Sequence, residues 1–515
     1  MKRLLALALA GTIGIAVQQA NAQPSGPTQR IKDAVTALGG ADALRGLKSL
    51  SIKATAKHWE PEQSVVAGGD PRPLGSSNLT IAWDIAQNSS RIEHEHKMDY
   101  PFPGNEKYTA IITPTWGAVV NDKGEDRPMS ANRLAFELRE QERASPILLL
   151  KAMERPASVF GVPDQKMAGK TYPAVAFEDG PTKFLILFDR KSKMPAAIRT
   201  VEDDQMHGDG VFDLSLADWK DVAGAKVATS LAWKFNNLAK LDIKYGDIAA
   251  NTALSADALK VSDATKQAAK PPASGDLPWQ TMMISQNFGR YDDLGDEKVA
   301  AAPIQMKLVE LGPNVSQAQG RSHNSLIVAM DKYLVVFDAP QNEAQSRWTI
   351  DAAKAKYPGK PIRYLVMTHH HMDHLGGART YVAEGATVVV GSPDKAHVAA
   401  ELSMPRTMHP DAQQKHPKPV KVMEVKDKLV LTGGDEIQIY RIANPHVEGM
   451  LTGYVVGPKI VWVTDIFSPG REANKSPANI QFHDTVKKLG LSPATYAGGH
   501  GTFVSEADYS AMLAK

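Results

Sequence analysis

The hydrophobic and polar positions in the first half of the chain predict a sheet with few helices. Residues 31–47 place Ala, Leu and Ile at helical spacing. Between residues 51 and 244 short segments such as 50–54 and 79–83 alternate apolar with polar positions, and turn signals separate them. A helix is predicted over residues 131–153. We therefore expect a curved, mainly antiparallel β domain with one or two helices.

The pattern changes after residue 303, where apolar strands alternate with helical segments. Residues 326–329 and 334–337 predict strands, residues 344–356 a helix, and residues 362–367 another buried strand. Strands that alternate with helices are typical of α/β domains. The fold class predicted for the whole chain is α/β, with the β-rich domain preceding this region.

The first residues and one internal segment predict how the chain is divided. Residues 1–22 read as a secretory signal peptide, with Lys2 and Arg3 before a short apolar core and a small-residue cleavage pattern ending at Ala22. Residues 262–302 have the composition of a linker. The predicted domains are therefore residues 23–261 and 303–515. After cleavage we expect no integral membrane segment and a periplasmic or secreted location.

Composition restricts the chemistry further. The 515 residues include 59 Lys and Arg against 57 Asp and Glu, with no basic run, so nothing favours a nucleic acid partner. The chain has no Cys, which excludes disulfides, thiolate metal ligands and a cysteine nucleophile. Any metal must be held by His, Asp or Glu.

Four residues of ligand type follow the predicted strand at 362–367 within six positions. They are His369, His371, Asp373 and His374, with Gly376 and Gly377 after them. Residues two apart in extended chain point the same way, so His369 and His371 can reach one metal. A turn into a helix aims Asp373 and His374 at a second point nearby. A purely structural origin is improbable for so dense a group, roughly one in twenty.

Further ligand candidates each follow an apolar strand of the same region: His446, Asp465 and His500. Residues on strand-end loops of an α/β scaffold can converge on one edge. A single His is more often packed or at the surface, about four times in five. That interpretation is given to His58, His207 and His483, and His94 and His96 are expected to face solvent.

The H-x-H-x-D-H motif in residues 369–374, followed in order by the three later residues, resembles the metallo-β-lactamase superfamily. The resemblance covers residues 303–515 and implies an αββα sandwich with two metal ions, usually zinc. It implies that His369, His371 and His446 bind the first ion. The second ion then takes Asp373, His374 and His500, with Asp465 bridging.

An Asp at position 465, where many true metallo-β-lactamases have Cys, resembles the glyoxalase-II-like, lactonase, alkylsulfatase and phosphodiesterase branches. The resemblance implies an exported hydrolase that cleaves an ester, thioester, lactone or amide of a small molecule. A dinuclear zinc centre would deliver the hydroxide, and Asp373 would orient it. A phosphodiesterase or alkylsulfatase on the same centre is the alternative.

Two questions stay open from the sequence. The first half resembles lipoprotein-carrier domains in texture, so a non-enzymatic carrier of a lipid-like ligand is a third hypothesis. The polar, Pro-rich residues 401–420 are either a lid over the metal site or a solvated loop.

Overall fold

The computed structural model describes residues 26–101, 103–204, 206–252, 254–255, 257–274, 306–320 and 322–515. The predicted signal peptide lies outside the described residues, as does the predicted linker beyond residue 274. Residues 262–274 lie against the β-rich domain, because the Asp126 carboxylate accepts hydrogen bonds from Ser262 and Thr265. Within the described chain no helix has both the length and the apolar character that crossing a bilayer requires.

The N-terminal region is built on one antiparallel sheet of thirteen strands, in the order β6-β5-β4-β3-β2-β1-β15-β14-β13-β12-β11-β10-β7. The strands are β1 (Ser49–Glu60), β2 (Arg72–Asp84), β3 (Ser89–Met98), β4 (Gly104–Ile112), β5 (Gly117–Asn121), β6 (Asp126–Pro128), β7 (Val159–Gly161), β8 (Gln165–Met167), β9 (Lys170–Tyr172), β10 (Ala174–Asp179), β11 (Thr182–Phe188), β12 (Pro195–Asp204), β13 (Gly208–Val222), β14 (Ala225–Phe235) and β15 (Leu238–Ala250), of which β8 and β9 form a separate ribbon. Buried and exposed positions alternate along β1, as expected of a half-buried strand.

Each predicted helical stretch of this region is a pair of helices. The helices are α1 (Pro27–Ala37), α2 (Ala41–Gly46), α3 (Ala131–Arg143), α4 (Leu148–Glu154) and α5 (Asp263–Ala268), with single 3₁₀ turns at Pro61–Gln63 and Pro156–Ser158. Gly39 and Gly40 separate α1 from α2 with φ of 108° and 91°, which side chains rarely adopt. Pro146 follows the end of α3, where its missing N–H stops the helix.

The C-terminal region is an αββα sandwich, which confirms the predicted fold class. Its first sheet has seven strands in chain order: β16 (Lys307–Gly312), β17 (Val315–Gln319), β18 (Asn324–Ala329), β19 (Leu334–Phe337), β20 (Ile362–Val366), β21 (Thr387–Gly391) and β22 (Val422–Val425). Its second sheet has six: β23 (Lys428–Gly433), β24 (Asp435–Arg441), β25 (Leu451–Val455), β26 (Ile460–Val463), β27 (Thr495–Gly498) and β28 (Phe503–Ser505). The helices are α6 (Glu343–Lys356), α7 (Met372–Leu375), α8 (Ala378–Glu384), α9 (Lys395–Glu401), α10 (Ala412–Lys415), α11 (Pro477–Lys488) and α12 (Glu506–Ala514), with a 3₁₀ turn at Ser392–Asp394.

An apolar core joins the two sheets of the sandwich. Phe337 of the first sheet and Trp462 of the second are fully buried within it. Gly453 lets the sheets approach, since a Cβ at this position would lie 2.4 Å from the Phe337 ring. This packing holds the ends of β20, β26 and β27 at one edge of the sandwich.

The Pro-rich segment at 401–420 connects the two regions. Arg406 donates to both oxygens of Asp203 at 3.0 Å, and Thr407 donates through its backbone to Asp209. Arg379 of the sandwich forms an ion pair with Asp411. Of the two alternatives left open for this segment, a wholly solvated loop does not fit, because the buried Arg406–Asp203 pair attaches it to the N-terminal sheet and the Arg379–Asp411 pair attaches it to the sandwich.

Two sequence predictions for histidines of the sheet were wrong. His94 and His96 are only 5% and 4% exposed. They lie on the covered face of β3, while the alternate residues Glu93 and Glu95 face outward. His58, His207 and His483, which were expected to be either packed or at the surface, are buried.

Candidate metal centre

The loop after β20 carries the predicted cluster. Its conformation is held at the start by Thr368, whose backbone N–H and hydroxyl both donate to Asp338 Oδ1 at 2.8 Å. His371 is the N-cap residue of α7 and has extended backbone, so the chain turns between it and Asp373. Strand β20 is parallel to β19 and β21, which places this loop at the carboxyl edge of the first sheet.

The second sheet brings the later candidates to the same edge. His446 precedes β25, Asp465 follows β26, and His500 follows β27. Together with the loop after β20, they place all seven predicted side chains around one point. Their role as metal ligands stays a prediction, which the geometry below makes specific.

The first group consists of His369, His371, His446 and Asp465. One potential ligand atom of each lies within 4.8 Å of all the others. His446 Nε2 is 3.0 Å from His371 Nδ1 and 3.0 Å from Asp465 Oδ2. His369 Nε2 lies 3.5 Å from the same carboxylate oxygen.

The second group consists of Asp373, His374 and His500, together with His323, which the sequence analysis did not select. His323 Nε2 lies 3.0 Å from Asp373 Oδ2, and its ring centroid is 4.2 Å from that of His500. His374 Nε2 is 3.8 Å from the same Asp373 oxygen. This group is therefore richer in imidazole than predicted.

Asp465 lies between the two groups. Its Oδ2 faces His369 and His446, while its Oδ1 is 2.9 Å from His374 Nε2 and 2.8 Å from His500 Nε2. The residue has a φ of 57°, a left-handed conformation that costs a non-glycine residue about 1 kcal/mol or more. The strained backbone directs one carboxylate toward both groups, as a bridging ligand requires.

The donors fit divalent metal ions. His369 Nε2 is buried without a hydrogen-bond partner among the described residues, which is costly unless a ligand occupies it. The nitrogens that face away from the centre have partners: His371 Nε2 has the Ser64 carbonyl at 2.9 Å, and His500 Nδ1 has the Ser322 carbonyl at 3.2 Å. Such outer contacts fix the tautomers of metal-binding histidines. Imidazole and carboxylate donors without thiolate suit zinc.

The pKa values of four of these side chains favour the protonation states that bind cations. Burial lowers the pKa of His369 to about 4 and that of His371 well below its ordinary value, so both are neutral near pH 7. Burial alone would raise the pKa of Asp465, but His374 beside it holds that pKa well below the usual range. In the same way, His374 and His323 hold the pKa of Asp373 well below its usual value, although burial alone would raise it. Neutral imidazoles and ionised carboxylates are the forms that bind metals.

A turn of the N-terminal region, residues 61–64, covers this centre. Gln63 Nε2 donates to Asp373 Oδ1 at 2.8 Å, and the Tyr100 hydroxyl donates to Gln63 Oε1 at 2.9 Å. Arg72 stacks on the Tyr100 ring and donates to the carbonyls of Gln63 and His446. The N-terminal sheet therefore contributes polar groups to the metal centre.

Sequence reasoning missed the residues that support Asp373. His323 had a local signal, since it stands shortly before the strand predicted at residues 326–329, as the other candidates stand at strand ends. Gln63 had none, because 310 positions separate it from Asp373. A contact of that range follows from how the two regions pack and not from a motif.

The structure is an αββα sandwich with two candidate metal-binding groups at one edge. Residues 318–511 match the family model of the metallo-beta-lactamase superfamily. The match lies in the C-terminal region and covers less than half of the chain, and it confirms the resemblance seen in the sequence.

Individual relatives are more distant. An (R)-specific secondary-alkylsulfatase of Pseudomonas sp. is 28% identical over 134 residues, which are 24% of this chain and 20% of the relative. The chain thus spans about a fifth of that relative's length. A metallo-beta-lactamase from Pontibacter korlensis is 15% identical, with a TM-score of 0.33, over 41% of this chain and 98% of that one. A stereoselective inverting sec-alkylsulfatase from Pseudomonas sp. is 19% identical, with a TM-score of 0.31, over 42% of this chain and 41% of that one.

Proposed function

We propose that the chain is a metal-dependent hydrolase in which the clustered side chains hold two divalent ions, zinc in the first instance. The observation that carries this proposal is the position of Asp465, whose two oxygens divide between two sets of histidines. A structural site closes around one ion and has no need of a shared carboxylate. Membership of the superfamily supports the same activity.

The ligands are assigned by proximity. His369, His371 and His446 would hold one ion, Asp373, His374 and His500 the other, with Asp465 shared between them. Two such ions supply a nucleophilic water near neutral pH and stabilise the charge that develops on the substrate oxygen. His323 lies against Asp373 and holds this carboxylate in place.

Asp373 is assigned to the attacking water. Gln63 Nε2 donates to its Oδ1, and His323 Nε2 lies at hydrogen-bond distance from its Oδ2. These two contacts hold the carboxylate in one orientation. Its side chain is 19% exposed, against 0% for His369 and His374, which places it on the open side of the centre. There the carboxylate would accept a hydrogen bond from the water and orient it.

We propose an ester, thioester, lactone or amide as the substrate. The N-terminal region places the uncharged Gln63 amide against Asp373, with the uncharged Tyr100 hydroxyl behind it. The nearby guanidinium of Arg72 donates to the carbonyls of Gln63 and His446. Burial, with Asp373 nearby, raises the pKa of Tyr100, so its hydroxyl remains a donor. Uncharged donors suit a neutral acyl group. The (R)-specific secondary-alkylsulfatase relative favours a sulfate ester as the second candidate.

The test of this proposal combines metal removal with a substrate panel. Purified protein is assayed on nitrophenyl acetate, a lactone, a cephalosporin, a bis-phosphate ester and a secondary alkyl sulfate. We expect turnover of an acyl substrate that chelation abolishes and Zn²⁺ restores. Hydrolysis of the alkyl sulfate alone would select the second candidate. An unchanged rate in metal-stripped protein would refute the proposal, and lipid binding without any turnover would favour the carrier hypothesis.

We also propose that the protein is exported, because residues 1–22 have the three parts of a signal peptide. The test is mass spectrometry of the N-terminus after expression in a two-membrane bacterium. The expected product is periplasmic and begins at Gln23. A cytoplasmic product that retains residues 1–22 would contradict it.

A further inference from the structure

A second buried cluster of ligand-type side chains lies where the two regions meet. We define the junction cluster as Glu62, Asp204, His207 and Glu401. Glu62 belongs to the covering turn, Asp204 and His207 to the hairpin between β12 and β13, and Glu401 to α9 of the sandwich. None of the four side chains is more than about a tenth exposed.

The geometry of the cluster resembles a first and a second coordination layer. One oxygen of Glu62, one of Asp204 and one nitrogen of His207 lie within 4.8 Å of one another. Glu62 Oε1 is 2.7 Å from His207 Nε2. On the far side of the ring, His207 Nδ1 lies 3.1 Å from Glu401 Oε2. A carboxylate behind the distal nitrogen is the usual support of a metal-binding histidine.

Several atoms that face the centre of the cluster lack hydrogen bonds among the described residues. Both oxygens of Glu62, Oδ2 of Asp204 and Nε2 of His207 are buried in this state. The short approach of Glu62 to His207 is therefore not aligned as a hydrogen bond. Asp204 uses its other oxygen, Oδ1, to accept from the backbone N–H groups of Met206 and His207, which leaves Oδ2 directed elsewhere. Buried polar atoms without partners point to a bound group.

We propose that the junction cluster is a third metal site, which binds one divalent cation through Glu62, Asp204 and His207. Two carboxylates and one imidazole as ligands favour Zn²⁺ or Mn²⁺. In the loaded site the Glu401 carboxylate, 3.1 Å from His207 Nδ1, would accept a hydrogen bond from the Nδ1–H group and orient the ring. The site is separate from the two groups that share Asp465.

Charge supports the assignment. Three carboxylates surround one imidazole, so the cluster is negative even with His207 protonated, and a buried excess of charge is unfavourable without a counter-ion. Arg406 follows α9 closely in the chain, but its guanidinium donates to both oxygens of Asp203.

The proposed cation site lies next to the turn at residues 61–64 that covers the candidate metal centre. Glu62 immediately precedes Gln63, which donates to Asp373, and Ser64, whose carbonyl accepts from His371. A cation that links Glu62 to the hairpin of the N-terminal sheet would hold this turn over the catalytic groups. It would act through positioning, without contact with the substrate.

The experiment separates this site from the predicted dinuclear centre. In the full chain, His369→Ala, His374→Ala and Asp465→Ala together disable that centre. After equilibration with Zn²⁺ and removal of free metal, this protein should retain about one equivalent of zinc by elemental analysis. Adding Glu62→Gln and His207→Ala should reduce the content to near zero. Glu142→Gln, which alters a buried carboxylate paired with Lys151, is the matched control and should retain the equivalent.

Two further measurements keep the proposal open to refutation if the combined variant folds poorly. Zn²⁺ should raise the Tm of the centre-disabled protein, because a ligand that binds only the folded state stabilises it. In that background Glu401→Gln should weaken zinc binding by about 10- to 100-fold while preserving the circular dichroism spectrum. A centre-disabled protein that binds neither Zn²⁺ nor Mn²⁺ would overturn the proposal. An unchanged Kd in Glu401→Gln would also overturn it. Loss of hydrolysis in the unaltered protein would bear only on the proposed function.

Discussion

The interiors of the two regions are built from different chemistry. Between the sheets of the sandwich, the core is an apolar layer in which Phe337 and Trp462 are fully buried. In the N-terminal region, Arg143 is completely buried, and its guanidinium lies 2.8 Å from Glu202. Trp233 there donates to the Glu140 carboxylate. The layer between the two sheets of the sandwich is therefore apolar, whereas the interior of the N-terminal region includes charged side chains.

This difference shows how the two regions contribute to the site. An apolar, closely packed sandwich fixes strand ends. Five of the seven predicted ligands stand in loops next to them, and the other two, Asp373 and His374, lie in the short helix α7. A polar interior lets the N-terminal sheet present side chains such as Gln63 and Glu62 at the junction. The four variants below test this division of roles, from the largest expected effect to the smallest.

Asp465→Ala should have the largest effect. Removal of the shared carboxylate leaves both histidine groups without their common ligand, so we expect kcat/KM to fall by at least about 10³-fold. Zinc content should fall as well. The matched control is His483→Asn, a buried residue of the sandwich paired with Glu506 away from the centre, which should keep its rate. Equal activity in Asp465→Ala and the unaltered protein would show that the proposed metal centre of the sandwich does not catalyse hydrolysis.

Gly453→Ala tests the packing that holds the strand ends. The added Cβ would lie 2.4 Å from the Phe337 ring, and overpacking of this kind costs about 1–3 kcal/mol. Chemical denaturation should show that loss. Gly246→Ala in β15 is the control, since its Cβ would meet only the Lys53 carbonyl at 3.4 Å. If both variants were equally stable, the apolar core between the two sheets would have room for the added methyl group, which would contradict the close packing of Gly453 against Phe337.

His94→Phe tests the polar interior through its pH dependence. Burial lowers the pKa of His94 to about 3, with Arg133 and His96 adding to the effect, and the ring stacks on Tyr108. Because the folded pKa lies below the unfolded value of about 6.5, the unfolded chain takes up the proton first and stability falls as pH drops below 6.5. This one residue should cost about 2 kcal/mol between pH 7 and pH 5.

The measurement is the free energy of unfolding at the two pH values. In His94→Phe the loss between pH 7 and pH 5 should be smaller by about 2 kcal/mol. The exposed His416, changed to Gln, is the control and should leave the loss as in the unaltered protein. A loss that His94→Phe does not reduce would mean that His94 titrates normally.

Gln63→Leu tests the link between the regions and should have the smallest effect. Loss of one hydrogen bond to Asp373 frees the carboxylate to rotate, so we expect kcat to fall by about tenfold with little change in KM. The exposed Gln87, changed to Leu, should have no effect. If kcat stayed constant in Gln63→Leu, the turn at 61–64 would be a cover without influence on the reaction.

The sequence predicted the sandwich and its candidate metal ligands well, because these residues follow buried strands and four of them lie in one compact motif. His369 and His371 are two residues apart, and the later candidates each follow an apolar run. The same reasoning failed for His94 and His96, since alternation does not reveal which face of a polar strand is covered. It also had no access to Gln63 or to His207, whose significance depends on contacts with residues about 190 to 310 positions away.

The central claim is that Asp465 is shared by two metal ions. X-ray diffraction from crystals of the purified, zinc-loaded protein, recorded on both sides of the zinc absorption edge, tests it directly. The account predicts two anomalous peaks on opposite sides of the Asp465 carboxylate, one beside His369 and His446 and one beside His374 and His500. A single peak, or none within reach of Asp465, would contradict it.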